Sequence, residues 1–110
     1  MTIEPNEKDD DAIREQIREK LANGLNTEVF PRADTSDEIN AIVGRLQTDA
    51  AGDLEKKLVI SGWTDHTITH DEIEQPCETC MYYLVNRRFC NLPELMLPAE
   101  PEWSCRLWRI

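Results

Sequence analysis

The sequence predicts a small fold of α-helices and irregular chain, with a helical N-terminal half and a C-terminal minidomain that has little regular structure. Apolar residues recur at helical spacing as far as residue 60. All four glycines lie before residue 63, whereas all four cysteines lie after residue 76. We therefore place the boundary between the halves near residues 70–76. A length of 110 residues is that of one domain.

Start and stop signals divide the helical region, residues 9–70, into three helices. The acidic run Asp9–Asp11 suits a helix N-terminus, and Asn23-Gly24 is a typical stop. Thr35–Glu38 has the pattern of a capping box, and Ser61–Trp63 ends the third helix. The predicted helices cover about residues 10–23, 36–48 and 50–60.

The remaining chain is predicted to be extended or irregular. Residues 1–8 are polar and aperiodic, so we expect a disordered tail. Between Asp65 and Pro76, histidine and isoleucine alternate with threonine, which is compatible with a short strand. Residues 58–60 would also suit the start of a strand, although a helix is favoured. Four of the six prolines lie at or after residue 76, and residues 76–110 form the predicted minidomain.

The first two helices carry narrow apolar stripes on otherwise charged surfaces. The stripe residues are Ile13, Ile17 and Leu21 in the first helix and Ile39, Val43 and Leu46 in the second. A narrow stripe buries little surface within an isolated helix. We therefore predict that the helical half binds a larger protein subunit.

The net charge of −10 arises in the first 76 residues, which contain 18 acidic and 8 basic side chains, whereas residues 77–110 contain 4 of each. An acidic surface argues against nucleic acid as a partner, because phosphates require neutralising cations. No apolar run approaches the length of a membrane-spanning helix, which argues against a membrane. The acidic N-terminus resembles neither a secretory signal nor a transit peptide, so a cytoplasmic protein is expected.

The cysteines follow the pattern C-x2-C-x9-C-x14-C, formed by Cys77, Cys80, Cys90 and Cys105. Thiols stay reduced in the cytoplasm, so metal binding is favoured over disulfides. Four thiolates can close a tetrahedral zinc site or hold an iron–sulfur cluster. Zinc ribbons usually supply two short-spaced pairs, whereas one pair and two single cysteines suit a larger centre. The nearby aromatic residues would limit access of water to such a centre.

The segments "CETCMYYLVNRRFC" and "LPAEPEWSCRLW" resemble small iron–sulfur proteins of the high-potential type. They are also similar to iron–sulfur accessory subunits of larger enzymes, such as the glycyl-radical enzyme benzylsuccinate synthase. The resemblance covers residues 76–110. It implies a 4Fe-4S cluster on the four cysteines, with Trp103 beside the last ligand, and an electron-transfer or structural role. The alternative is a zinc-stabilised module that binds a protein and has no redox role.

Other residues that could bind a metal or a partner have weaker sequence signals. His66 and His70 precede the cysteines and are candidate ligands, although solvated or hydrogen-bonded histidines are commoner. The adjacent side chains of Arg87 and Arg88 have three possible roles. They would offset the negative charge of the thiolates, contact an acidic partner or be solvated. No P-loop, nucleophile elbow or dinucleotide-type glycine pattern is present. We therefore predict a non-enzymatic subunit with no catalytic residues.

Overall fold

A computed structural model of the chain describes residues 7–110. Three helices fill the N-terminal half: α1 (Glu7–Ala22), α2 (Ser36–Asp49) and α3 (Leu54–Ser61). This confirms the predicted fold class of helices followed by largely irregular chain. The predicted tail at residues 1–8 lies mostly outside the described residues, and α1 already includes residues 7 and 8.

Helix caps explain where α2 and α3 begin and end. The Thr35 hydroxyl accepts a hydrogen bond from the Glu38 N–H at 3.2 Å, as the capping-box pattern predicted. The Asp53 carboxylate accepts from the Lys56 N–H at 3.0 Å, so α3 begins four residues later than the predicted residue 50. Gly62 closes α3 with a φ of 66°.

The C-terminal half contains five two-residue strands and one 3₁₀ turn. The strands are β1 (Thr69–His70), β2 (Ile73–Glu74), β3 (Tyr83–Leu84), β4 (Phe89–Cys90) and β5 (Leu97–Pro98). β1 and β2 form an antiparallel hairpin in the stretch that the sequence marked as extended. β3, β4 and β5 form an antiparallel sheet in that order. The 3₁₀ turn spans Cys77–Thr79.

One buried core runs through both halves of the chain. Helix α1 packs against β5, and α2 packs against α3. The rings of Trp63 and Trp103 meet edge to face, with centroids 6.2 Å apart. Buried members come from the helices and from the cysteine-rich segment: Ile17, Ile42, Leu46, Leu58, Trp63, Cys77, Cys90, Leu95, Trp103 and Leu107. The minidomain is therefore packed directly on the helices.

This core buries part of the apolar stripes on the first two helices. Those stripes were the basis for predicting that the helical half binds a larger subunit. Ile17 and Leu46 are fully buried inside the chain itself, and Ile13, Leu21 and Ile39 pack against the same core. The stripes are therefore largely explained by intramolecular packing. None of the helices in residues 7–110 is both long enough and apolar enough to cross a membrane.

A Gly62→Ala substitution is expected to destabilise the fold by about 2 kcal/mol or more, since the left-handed conformation is unfavourable for alanine. A Cβ at this position would also lie 2.4 Å from the Glu28 carbonyl oxygen. Gly44→Ala is the matched control, because Gly44 lies within α2 and its Cβ would meet nothing within 4 Å. We expect that control to raise stability by about 0.5–1 kcal/mol. Urea unfolding of both variants tests the prediction, and equal stabilities would contradict it.

Candidate metal centre

Three separate parts of the fold bring the four cysteines around one cavity. Cys77 begins the 3₁₀ turn and Cys80 follows it, Cys90 ends β4, and Cys105 follows the bridge that pairs Thr64 with Ser104. The cavity, about 10 Å³ in volume, is lined by all four cysteines and by Trp63, Tyr83 and Trp108. All four cysteines are free thiols. The structure thus brings the four predicted site residues together.

Backbone hydrogen bonds fix the turns that carry these thiols. The Cys80 N–H donates to the Cys77 carbonyl at 2.9 Å, which folds the two-residue spacer into a tight turn. The Cys77 N–H donates to the Trp103 carbonyl at 2.6 Å, so the first and last ligand segments are joined directly. Cys90 is held in register between Tyr83 of β3 and Leu97 of β5. The Tyr83 N–H also donates to the Cys80 carbonyl at 3.0 Å, so the sheet and the turn hold the thiols together.

The four thiols form a donor set that suits either of the two metal centres predicted from the sequence. A zinc ion with four sulfurs at about 2.3 Å would hold those sulfurs about 3.8 Å from one another in a tetrahedron. Within residues 7–110, no three cysteine sulfurs lie within 4.8 Å of one another. The thiols would therefore move on binding a metal, because the cavity between them has a volume of about 10 Å³, which is close to that of a single water site.

Trp63, one of the residues that line the cavity, has a hydrogen-bond donor without an acceptor. Trp63 is fully buried, and its indole Nε1 has no hydrogen-bond partner among the described residues. Buried donors are usually satisfied, because leaving one unpaired is unfavourable by about 1–3 kcal/mol. A cluster brings inorganic sulfides as acceptors, whereas zinc brings none beyond the thiolates. Trp63 is therefore a residue that the cysteine pattern could not indicate but that suits a sulfide-containing group.

Burial controls the protonation of the thiols. It raises the pKa of Cys77 and Cys90 well above the ordinary thiol value, and raises that of Cys105 to about 12. The other cysteines raise these pKa values further, whereas backbone hydrogen bonds involving Leu92 and Leu107 lower those of Cys90 and Cys105. Buried neutral thiols are poor nucleophiles. The arrangement therefore suits a metal, which displaces the protons on binding, and does not suit a catalytic cysteine.

The metal-free protein is expected to lose stability as the pH rises from about 9 towards 12. Over this range the unfolded chain releases thiol protons that the folded chain keeps, so a higher pH favours unfolding. The free energy of unfolding falls by about 1.4 kcal/mol per pH unit for each such thiol. Urea denaturation at several pH values measures the trend, and Cys90→Ser should make it shallower. A flat or rising stability would contradict the prediction. A chain that is unfolded at every pH without metal would also contradict it.

The predicted histidine and arginine candidates lie elsewhere. His66 is exposed beside Asp65, and His70 lies 3.1 Å from Asp34. Neither histidine lines the cysteine cavity. His70, Asp34 and Asp71 have ligand atoms within 4.8 Å of one another. Ion pairing of the histidine with the two carboxylates is enough to explain that proximity.

Arg87 and Arg88 form ion pairs within the chain. Arg87 pairs with Asp10 of α1 at 2.9 Å and stacks over the Phe89 ring, with its guanidinium carbon 3.6 Å from the ring centroid. Arg88 lies 3.1 Å from Glu100. The pair therefore ties the cysteine-rich segment to its surroundings and does not line the cavity.

Two other arginines, which sequence reasoning missed, lie beside the last cysteine. Arg32 and Arg106 are both buried, and both influence the electrostatics of Cys105. Arg32 comes from the connector between α1 and α2, where a single arginine beside a proline has no distinctive pattern. Only the tertiary structure brings it to the site.

No protein-family model, curated protein sequence or solved structure matches the chain. The resemblance of residues 76–110 to iron–sulfur proteins therefore stays a prediction from the motif.

Proposed function

We propose that this protein is a small iron–sulfur subunit that binds one 4Fe-4S cluster through Cys77, Cys80, Cys90 and Cys105. The observation that carries the proposal is the single cavity lined by all four cysteines, which come from one Cys-x-x-Cys pair and two separate segments of the chain. The unpaired N–H of Trp63, a residue that lines this cavity, supports it, because the sulfides of a cluster accept hydrogen bonds.

When bound, such a cluster supplies one-electron transfer. The chain's own residues would hold it, shield it and adjust its charge. Tyr83 and the two cavity-lining tryptophans form an apolar wall that limits water, and the Tyr83 hydroxyl is occupied by the Ala99 carbonyl at 2.9 Å. Burial raises the pKa of Tyr83 to about 12, so its phenol stays neutral beside the thiols. These features favour a stable cluster over a reactive one.

We further propose that the protein works as an accessory or electron-transfer subunit of a larger enzyme in the cytoplasm. Cys80 is half-buried, whereas the other three cysteines are buried. Met81, directly after it in the chain, is 60% exposed, and Val85, five residues after Cys80, is 68% exposed. Exposed apolar side chains close to a redox centre suit contact with a protein partner, and a short path through Cys80 suits electron exchange. The acidic surface supports a protein partner over nucleic acid.

Iron and acid-labile sulfide content test the proposal. Protein purified without oxygen should be brown and contain about four irons and four sulfides per chain. Zinc at one ion per chain without sulfide would overturn the proposal and favour the zinc-stabilised binding module instead. Absence of both metals from anaerobically prepared protein would overturn the metal centre altogether.

A further inference from the structure

Arg32 is buried against the backbone of Cys105, and its hydrogen bonds go only to neutral acceptors. Its side chain is 2% exposed. Nε and Nη2 donate to the Gln75 Oε1 at 3.1 and 2.6 Å, and Nη2 also donates to the carbonyl of Cys105 at 2.7 Å. A weaker contact of 3.4 Å joins Nη2 to the Ser104 hydroxyl. The guanidinium is thereby fixed against the backbone of the last cysteine.

Within residues 7–110, no carboxylate lies within ion-pair distance of Arg32. The other two deeply buried arginines differ, since Arg14 lies 2.9 Å from Glu100 and Arg106 lies 3.3 Å from Glu28. An arginine is always charged, and a buried charge without a counter-ion is unfavourable. The chain has 22 acidic residues, yet the side chain facing this guanidinium is the amide of Gln75. Asp34 acts on Arg32 only from beyond ion-pair distance and lies 3.1 Å from His70, so no described carboxylate contacts the guanidinium.

The cysteine centre is a second source of negative charge for Arg32. Cys105 and Arg32 influence each other: burial lowers the pKa of Arg32, and the charge of Cys105 opposes that change. Four neutral thiols provide no counter-ion, whereas metal-bound thiolates carry negative charge into the cavity. A permanent cation beside such a centre stabilises the more negative, reduced form.

We propose that Arg32 is the buried counter-ion of the four-cysteine centre and that it raises the centre's reduction potential. This inference rests on the proposed function, because it requires a redox-active anionic cluster. It also assigns a role to the connector between α1 and α2, which places a positive charge under a ligand that lies 73 residues later in the chain. The neutral Gln75 contributes to this effect, because it orients the Arg32 guanidinium without cancelling its positive charge.

Gln75→Glu gives the sharpest test, since glutamate can accept the same hydrogen bonds from Arg32 and adds only a negative charge. We expect its midpoint potential, measured by optical redox titration, to fall. The expected fall is about 59 mV, which is a tenfold change in the ratio of reduced to oxidised cluster for one electron. Arg32→Met should shift the potential in the same direction. Arg32→Lys should keep most of the wild-type value, because the charge is retained.

The matched control is Gln47→Glu, which makes the same chemical change on an exposed position of α2. Its potential should equal that of the wild type. If Gln75→Glu binds full iron and sulfide but has the wild-type midpoint potential, Arg32 does not raise the reduction potential. The proposed cluster is still supported in that case. If the wild-type protein binds no cluster, the proposed function fails and this inference fails with it. Iron and sulfide content measured before each titration distinguishes the two failures.

Discussion

A Cys105→Ser variant is expected to lose the whole metal centre and most of the stability of residues 77–110. Cys105 is buried, and its sulfur lines the cavity shared with the other three thiols. A serine hydroxyl is a poor replacement for a thiolate ligand, and here it would also be a buried polar group. Metal binding and folding are coupled in small sites of this kind, so loss of one ligand removes folding free energy as well.

Iron and sulfide analysis and thermal unfolding of anaerobic protein measure both losses. Met81→Ser is the matched control, because it introduces serine at an exposed position directly after Cys80. That variant should retain wild-type iron content and a closely similar melting temperature. A Cys105→Ser protein with full iron, full sulfide and wild-type melting would show that Cys105 is not a ligand.

Trp63→Ala is expected to destabilise the protein by about 3–5 kcal/mol, which is a large share of the stability of a small domain. Trp63 is fully buried, packs edge to face on Trp103 and lines the cysteine cavity. Its removal would leave a void between the helices and the minidomain and would admit water to the centre. Urea unfolding measures the stability, and the rate of cluster loss in air measures the exposure to solvent.

Trp63→Phe separates packing from hydrogen bonding at the same position. Phenylalanine keeps an aromatic ring but lacks the indole N–H that has no acceptor among the described residues. If a cluster sulfide accepts that hydrogen bond, the variant should remain folded but have a lower midpoint potential, because a donor to sulfur stabilises the reduced form. An unchanged potential with full cluster content would show that the Trp63 N–H does not contact the cluster.

Local sequence signals were enough to predict the helices and the composition of the site. The capping box at Thr35–Glu38 and the stop at Gly62 act through neighbouring backbone atoms, so they can be recognised without the rest of the fold. The start of α3 was misplaced by four residues, because the Asp53 cap overrides the apolar spacing before it. The Cys-x-x-Cys pair likewise forms through one local turn.

The sequence by itself thus determined the order of the elements, the acidic charge of the N-terminal half and the identity of four thiols with metal-ligand spacing. The tertiary structure alone decided that these thiols share one cavity and that Trp63 and Arg32 lie beside it. The reason is that capping and turn formation depend on residues within a few positions. The surroundings of Cys105 depend instead on contacts between segments far apart in the chain, such as the hydrogen bond from Arg32, which no local pattern encodes.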